Sequence, residues 1–306
     1  MLSNRLVTAL APAIWGTTYL VTTEYLPPDR PLLASLLRSL PAGLLLLVVV
    51  RRLPRGDWWW RSLVLGALNI GAFLPLLFLA AYRLPGGVAA TVGAVQPLIV
   101  AGLSAGLLGQ RITLRVGLAA VAGMAGVSLL VLRAGAQLDW LGVAAALGGA
   151  VVMASGIVLG KRWVSPAPLL ATTGWQLVAG GLLLLPVTFL VEGPPPALTA
   201  TNLAGYAYLA VIGAALSYSL WFRGLKLLAA TEVTFLGLLS PVVATAVGWV
   251  ALGQELTVAQ VCGAVIVLAA LVVAQTKGGS GHADHRVRGG RWRRQPGRGG
   301  GVTTRA

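Results

Sequence analysis

Apolar residues in this chain fall into blocks of about 20, nearly free of charge, separated by short segments rich in Pro, Gly and Arg. At 1.5 Å of rise per residue, such a block crosses a hydrocarbon layer about 30 Å thick as one helix. Ten are expected. Helix 1 runs 6–24 and stops before Pro27-Pro28, and helix 2 runs 31–50 and stops at Arg51-Arg52. Helix 3 takes 62–82, helix 4 follows Leu84-Pro85-Gly86 as far as Gly109, and helix 5 takes 113–132. Helix 6 covers 140–160 before Lys161-Arg162, and helix 7 covers 168–191. After Pro194-Pro195-Pro196 come helix 8 at 203–222, helix 9 at 229–252 and helix 10 at 257–275. The fold class expected is an all-α membrane protein.

Composition strengthens that reading. The chain is 57% hydrophobic and 10% charged, against roughly 45–50% and 25% for soluble domains. The net charge of +15 raises the question of a nucleic-acid partner. Eight of the 23 Lys and Arg lie in the Gly-rich stretch 277–306, and nearly all others sit at the ends of apolar blocks. That placement is a topology signal and not a phosphate-binding groove, so no nucleic acid is expected.

With the N-terminus inside, eleven basic residues fall on the inner side before residue 277: Arg5, Arg51, Arg52, Arg55, Arg61, Arg111, Arg115, Lys161, Arg162, Arg223 and Lys226. Three fall outside: Arg30, Arg83 and Arg133. The positive-inside rule therefore puts both termini in the cytoplasm of an inner or plasma membrane protein. Trp58-Trp59-Trp60 suits the inner headgroup layer, as a short surface segment. The basic segment 277–306 is expected to be disordered and to meet anionic inner-leaflet lipid. Only Leu6–Thr8 precede the small-residue triplet Ala9-Leu10-Ala11, too short an apolar run for a signal peptide, so helix 1 reads as retained.

The chain also repeats itself. Residues 97–113 align with 241–257 at a shift of 144, matching Pro97 to Pro241, Gly109 to Gly253, Gln110 to Gln254 and Thr113 to Thr257. At a shift of 138, Leu36-Leu37-Arg38 through Gly43 aligns with Gly174-Trp175-Gln176 through Gly181. Each half holds five helices, an odd number, so the second enters the membrane upside down. Arg111 in the first copy becomes Glu255 in the second, the exchange that the positive-inside rule favours when a turn changes sides. The expected domains are a first repeat at 1–138, a second, inverted repeat at 139–276, and the basic tail at 277–306. Inverted repeats recur in secondary transporters.

Trp15-Gly16, the Pro97 and Pro241 helices, the turns Gly-Gln-Arg-Ile-Thr and Gly-Gln-Glu-Leu-Thr, and the stretch Leu220–Lys226 resemble the EamA-type branch of the drug/metabolite transporter superfamily. The resemblance covers nearly all of Leu6–Gln275. It departs at Gln110 and Gln254, where that family commonly has Glu. It implies ten helices, cytoplasmic ends, a central cavity lined by helices 1, 3, 4, 6, 8 and 9, and transport of small metabolites.

Few residues offer chemistry at membrane depth. Arg38, two turns into helix 2, could meet a substrate carboxylate, pair with Glu24 or snorkel outward. Glu24 and Glu232 are the carboxylates expected in the helical layer, and both lie near helix ends, which argues against simple proton coupling. Glu232 suits the positive end of helix 9. The cavity candidates are Trp15, Tyr19, Asn69, Gln96, Ser155, Tyr218 and Trp221, because an amide or ring nitrogen exposed to lipid would be unsatisfied. Pro97 and Pro241 each break a helix and free a carbonyl. Gly102/Gly106 and Gly156/Gly160 read as close-packing pairs within the bundle, with a homodimer left open. Gly156 to Arg162 looks superficially like a phosphate loop but has the wrong spacing. His282 and His285 do not make a metal site, and no cofactor is implied. The function expected is a secondary transporter that exports a small organic metabolite (amino acid-like, aromatic or drug-like) by alternating access. The alternative is an intramembrane enzyme acting on a lipid-like substrate. It fails for want of convergent His, Asp, Glu or Ser/Lys residues at depth.

Overall fold

The computed structural model describes residues 2–83, 92–110, 112–131, 139–253 and 255–275, except for the side chains of Tyr19, Phe78, Ala81 and Tyr82. The expectations for residues 277–306, Arg111, Gln254 and the boundary near residue 138 lie outside these residues. Among the described residues the secondary structure is entirely helical, in ten runs. They are α1 (Leu2–Tyr25), α2 (Pro31–Val50), α3 (Trp58–Gly66, Ala67–Ala72 and Phe73–Arg83), α4 (Gln96–Leu108) and α5 (Leu114–Val131). The others are α6 (Trp140–Arg162), α7 (Leu169–Val191), α8 (Ala200–Ala210, Val211–Leu216 and Ser217–Leu227), α9 (Ala230–Leu236 and Leu239–Leu252) and α10 (Val258–Gln275). Eight are long and apolar enough to cross a membrane, and α4 and α5 are shorter apolar helices over their described lengths.

Local chemistry explains the ends. Pro31 opens α2, where its missing N–H costs nothing. Asp139 caps α6 by accepting from Leu141 and Gly142, and Thr199 and Asn202 form a capping box on α8. Gly109 and Gly253 close α4 and α9 at φ of 65° and 63°, a left-handed conformation that glycine adopts without penalty. The three tryptophans differ from expectation. They are the first turn of α3, not a separate surface segment, because the turn before Asp57 starts the helix at Trp58.

The largest interfaces run along α2 with α7, along α3 with α6 and along α5 with α10. α6 packs on α3 and α4, while α1 packs on α8 and α9. Close approach at the α2–α7 crossing depends on Gly43 and Gly181, where an added Cβ would lie 2.6 Å from the Val178 nitrogen and 2.7 Å from the Leu40 Cβ. The close-packing expectation holds at Gly156, which touches α3, and less tightly at Gly160. It does not hold at Gly102 and Gly106, where an added Cβ would meet nothing within 4 Å. Leu190, Val191, Val48 and Leu114 are largely exposed, as lipid-facing residues should be. Hydroxyls of Ser39, Thr188, Ser217 and Thr234 bond back one turn, so these polar groups stay satisfied in apolar surroundings.

Two helices carry a π-helical turn. In α3 it spans Ala67–Ala72 and in α8 Val211–Leu216, 144 residues further on (211 − 67 = 144). The same shift carries α5, from Leu114 to Val131, onto α10, from Val258 to Gln275. A π turn widens the helix by one residue, loosens the backbone ladder and frees carbonyls for other donors.

Candidate functional site

A cavity of about 350 Å³ opens between α3, α6, α7 and α8. Its rim carries Lys226 and Val164, both exposed, and its walls include Trp58, Leu65, Trp163 and Phe222. At the deep end lie Asn69 and Gln176, with Thr172 beside them. Asn69 sits in the π turn of α3, is 1% exposed, and donates through Nδ2 to Gln176 Oε1 at 2.8 Å. Its Oδ1 is buried without a partner. Gly156 lies directly against that oxygen, since a Cβ there would come within 2.1 Å of it. Lys161, at the last turn of α6, also lines the cavity and donates through Nζ to the Leu225 and Leu228 carbonyls at the end of α8.

Behind the cavity is an aromatic cluster. The Trp15 ring lies 5.3 Å from Tyr218 and 5.1 Å from Trp221, and Tyr218 lies 5.7 Å from Phe222, which reaches the cavity wall. Tyr218 and Trp221 are 3% and 2% exposed, and the Trp221 Nε1 is buried without a partner. Trp15 Nε1 donates to Ser217 Oγ at 2.8 Å and to the Gly213 carbonyl at 3.3 Å. Arg38 Nη2 reaches the same carbonyl at 2.9 Å, and Ser217 Oγ does so at 2.6 Å. One carbonyl in the π turn of α8 thus collects three donors from three helices.

These contacts form a matched pair. Gln176 is the counterpart of Arg38 at the shift of 138, and Gly213 is the counterpart of Asn69 at the shift of 144. Arg38 on α2 bonds to a residue in the π turn of α8, and Gln176 on α7 bonds to a residue in the π turn of α3.

At the cavity mouth, Arg61 lies 5.9, 5.5 and 5.9 Å from the Trp58, Trp60 and Trp163 rings. It is also paired with Asp57 at 3.0 Å. Trp58, Trp60 and Trp163 therefore pack around a cation, while Trp175 Nε1 is tied to the Arg52 carbonyl at 2.7 Å. At the same end of the bundle, Arg5 pairs with Glu232 at 3.3 Å, joining α1 to the first turn of α9.

The predicted site residues divide accordingly. Asn69 lines the cavity, and Trp15, Tyr218 and Trp221 gather behind it. Ser155 bonds back to Val151, and Gln96 opens α4 half-buried; neither is a lining residue. Tyr19 lies in α1, and its side chain is outside the described residues. Arg38 turns to Gly213, while Glu24 is exposed beside Thr23 at the opposite end of α1 from Arg5. Pro97 and Pro241 each stand in the first turn after a helix break, at 94–95 and 237–238. Of the helices implied by the resemblance, α3, α6 and α8 line the cavity and α1 backs it; α7 lines it as well.

Sequence reasoning missed Gln176, Lys161 and Glu192. Gln176 was visible as the repeat counterpart of Arg38. Lys161 read only as a topology charge. Glu192, one residue past α7, accepts from the Leu32 and Leu33 amides at 2.6 and 2.9 Å and so caps α2.

A helical bundle with apolar outer sides and a solute-sized, polar-floored cavity fits the class of membrane transport proteins. The particular family follows from comparison with known proteins: the chain belongs to the EamA-like transporter family, whose model matches residues 4–132 and 140–276. It is 50% identical over 267 residues to Protein PecM of Dickeya dadantii, covering 87% of this chain and 90% of that protein. A WAT1-related chloroplastic protein of Arabidopsis thaliana is 30% identical over 280 residues, covering 84% of this chain and 66% of its own length. A Salmonella typhimurium protein named "Probable amino-acid metabolite efflux pump" is 28% identical over 279 residues, covering 86% and 92%. A solved crystal structure shares the fold with a TM-score of 0.75 at 23% identity, over 89% of this chain and 96% of that one. The chain is a multi-pass membrane transporter and not an enzyme.

Proposed function

We propose that this transporter exports a small amphipathic organic solute by alternating access, using two five-helix repeats, 1–138 and 139–276, inserted with opposite orientation. The observation that carries the reading is the cavity floor. Asn69 and Gln176 come from different halves and bond to each other at the deep end of a solute-sized cavity, with the Trp15–Tyr218–Trp221 cluster behind them. Amides supply donors and acceptors, and the rings supply apolar surface, which suits amino acid-like or aromatic solutes.

The paired contacts support the rocking of one half against the other. Arg38 on Gly213 and Gln176 on Asn69 occupy corresponding places, so a motion that strains one contact can be answered at the other. The cavity opens beside Lys161, Lys226 and Arg61, the side that the positive-inside rule assigns to the cytoplasm. The name of the Salmonella relative favours export.

Metabolite profiling tests the reading. Cells overexpressing the chain are compared with empty-vector cells and with cells carrying Asn69→Ala or Gln176→Ala. The expected result is an organic solute whose distribution across the membrane shifts with the parent chain and moves back toward the control with either variant. Profiles identical for the parent and both variants would remove the cavity floor from the function.

A further inference from the structure

Lys161 is a cation inside the cavity that the reading above leaves without a task. Its two hydrogen bonds run to the Leu225 and Leu228 carbonyls, and the Glu232 carboxylate acts on it only through space, being itself paired with Arg5. The ion pairs among the described residues join Arg5 to Glu232, Arg61 to Asp57 and Arg83 to Asp139, so none takes Lys161. An ammonium has three donors. Two are held by the end of α8, which fixes Nζ in place and leaves the third on a side chain that lines the cavity.

The deep end is closed by the Asn69–Gln176 amide pair. Asn69 Oδ1 is a buried acceptor with no partner on a residue that is 1% exposed, and it lies against Gly156. Gly156 and Lys161 are five residues apart on α6, about 7.5 Å along its axis. That stretch of the cavity wall is of the length of a small organic acid and longer than a single inorganic ion. Between them stand Leu65, Phe222 and Leu225, with Trp58 and Trp163 nearer the mouth.

We propose that the solutes of this cavity carry a carboxylate that binds Lys161 and an apolar body that packs along Leu65 and Phe222 toward the Asn69–Gln176 pair. This rests on the cavity being the transport site. Lys161 also closes the end of α8, a structural task that any cation of similar reach performs. The carboxylate contact adds a preference between solutes, which the structural task does not.

The test uses the full-length chain purified in dodecyl maltoside and freed of anionic lipid, so that no lipid headgroup can occupy Lys161. Binding is read as thermal stabilisation over a concentration series of three matched probes: indole-3-propionate, its amide, and tryptamine. The acid is expected to bind at least tenfold more tightly than the amide, and tryptamine more weakly still. Lys161→Gln should abolish the preference for acid over amide, and Lys161→Arg should keep it. Asn69→Ala and Phe222→Ala should weaken acid and amide together. An acid that binds no better than its amide, or does not bind, overturns the proposal, as does an undiminished acid preference in Lys161→Gln. If Lys161→Gln does not fold, the acid-to-amide ratio in the parent and in Lys161→Arg still decides. Loss of the acid preference with Asn69 and Phe222 still required leaves the cavity reading standing. Binding untouched by both of those variants sinks the cavity reading itself.

Discussion

Gly156 is the position where one added carbon has the most to disturb. An alanine Cβ there would lie 2.1 Å from Asn69 Oδ1, 2.7 Å from its Cγ and 3.1 Å from the Leu68 Cβ. Asn69 is 1% exposed and has nowhere to swing, so Gly156→Ala must push α3 from α6 or break the bond to Gln176. Overpacking costs about 1–3 kcal/mol, and an interhelical hydrogen bond in a membrane protein adds about 0.6 kcal/mol. The expected loss is therefore about 1.5–3.5 kcal/mol by the same two terms. Gly160→Ala is the internal control, one turn away on the same helix and facing the same cavity. Its Cβ would meet only Leu65 Cδ2 at 3.8 Å, an ordinary contact. That variant should be neutral, or stabilised by up to about 1 kcal/mol through helix propensity. Unfolding of the purified chain in mixed micelles measures both. Asn69→Ala in the Gly156→Ala background removes the clashing atoms and should recover more than half of the loss, a coupling that a double-mutant cycle reads directly. Equal stability of the two alanine variants, or no relief from Asn69→Ala, would refute the packing argument.

Arg38→Met removes a charged donor from the Gly213 carbonyl and should cost about 1.5–3 kcal/mol in the same unfolding assay; parent-like stability would mean that Arg38 does not hold the π turn of α8. In a Cys262→Ala background, a cysteine at Ala197 should react with an impermeant reagent in intact cells and one at Val164 should not, and the reverse pattern would invert the topology. The Gly142 and Leu141 amides, helped by Arg83, hold the Asp139 carboxyl below the usual carboxylate range. Its contribution is therefore complete above the unfolded value of about 3.9 and fades as pH falls through the lower folded value. The stability difference between the parent and Asp139→Asn should shrink across that acid range, and a difference that grows there contradicts the assignment. Truncation after Lys277 should leave insertion and transport intact, as measured by membrane yield and solute export.

The sequence by itself was enough for whatever depends on neighbours along the chain. Blocks of apolar residues mark helices because backbone groups in lipid must bond within their own segment. Gly109 and Gly253 were legible as equivalent turns, and both close helices in the left-handed region because glycine meets no Cβ penalty there. The two shifts, 138 and 144, also paired residues that the fold later put to corresponding uses. They linked Arg38 with Gln176, although only Arg38 stood out as chemistry.

Tertiary structure decided which faces meet. A membrane helix is apolar all round, since lipid and protein interior are equally greasy, so its inward side leaves no amphipathic stripe to read. Hence Ser155 looked as good a cavity residue as Asn69, although it bonds back along its own helix. The π turns at 67–72 and 211–216 were invisible for a related reason: each carries a residue bonded to a side chain from a distant helix, Asn69 to Gln176 in one case and Gly213 to Arg38 in the other. Lys161 looked like a topology charge until the end of α8 came to lie against it, which turned a helix-terminal lysine into a cation facing a cavity. Charge placement along a chain settles which side of a membrane a loop occupies, but only packing across helices separated by a hundred residues or more settles what a buried polar group touches.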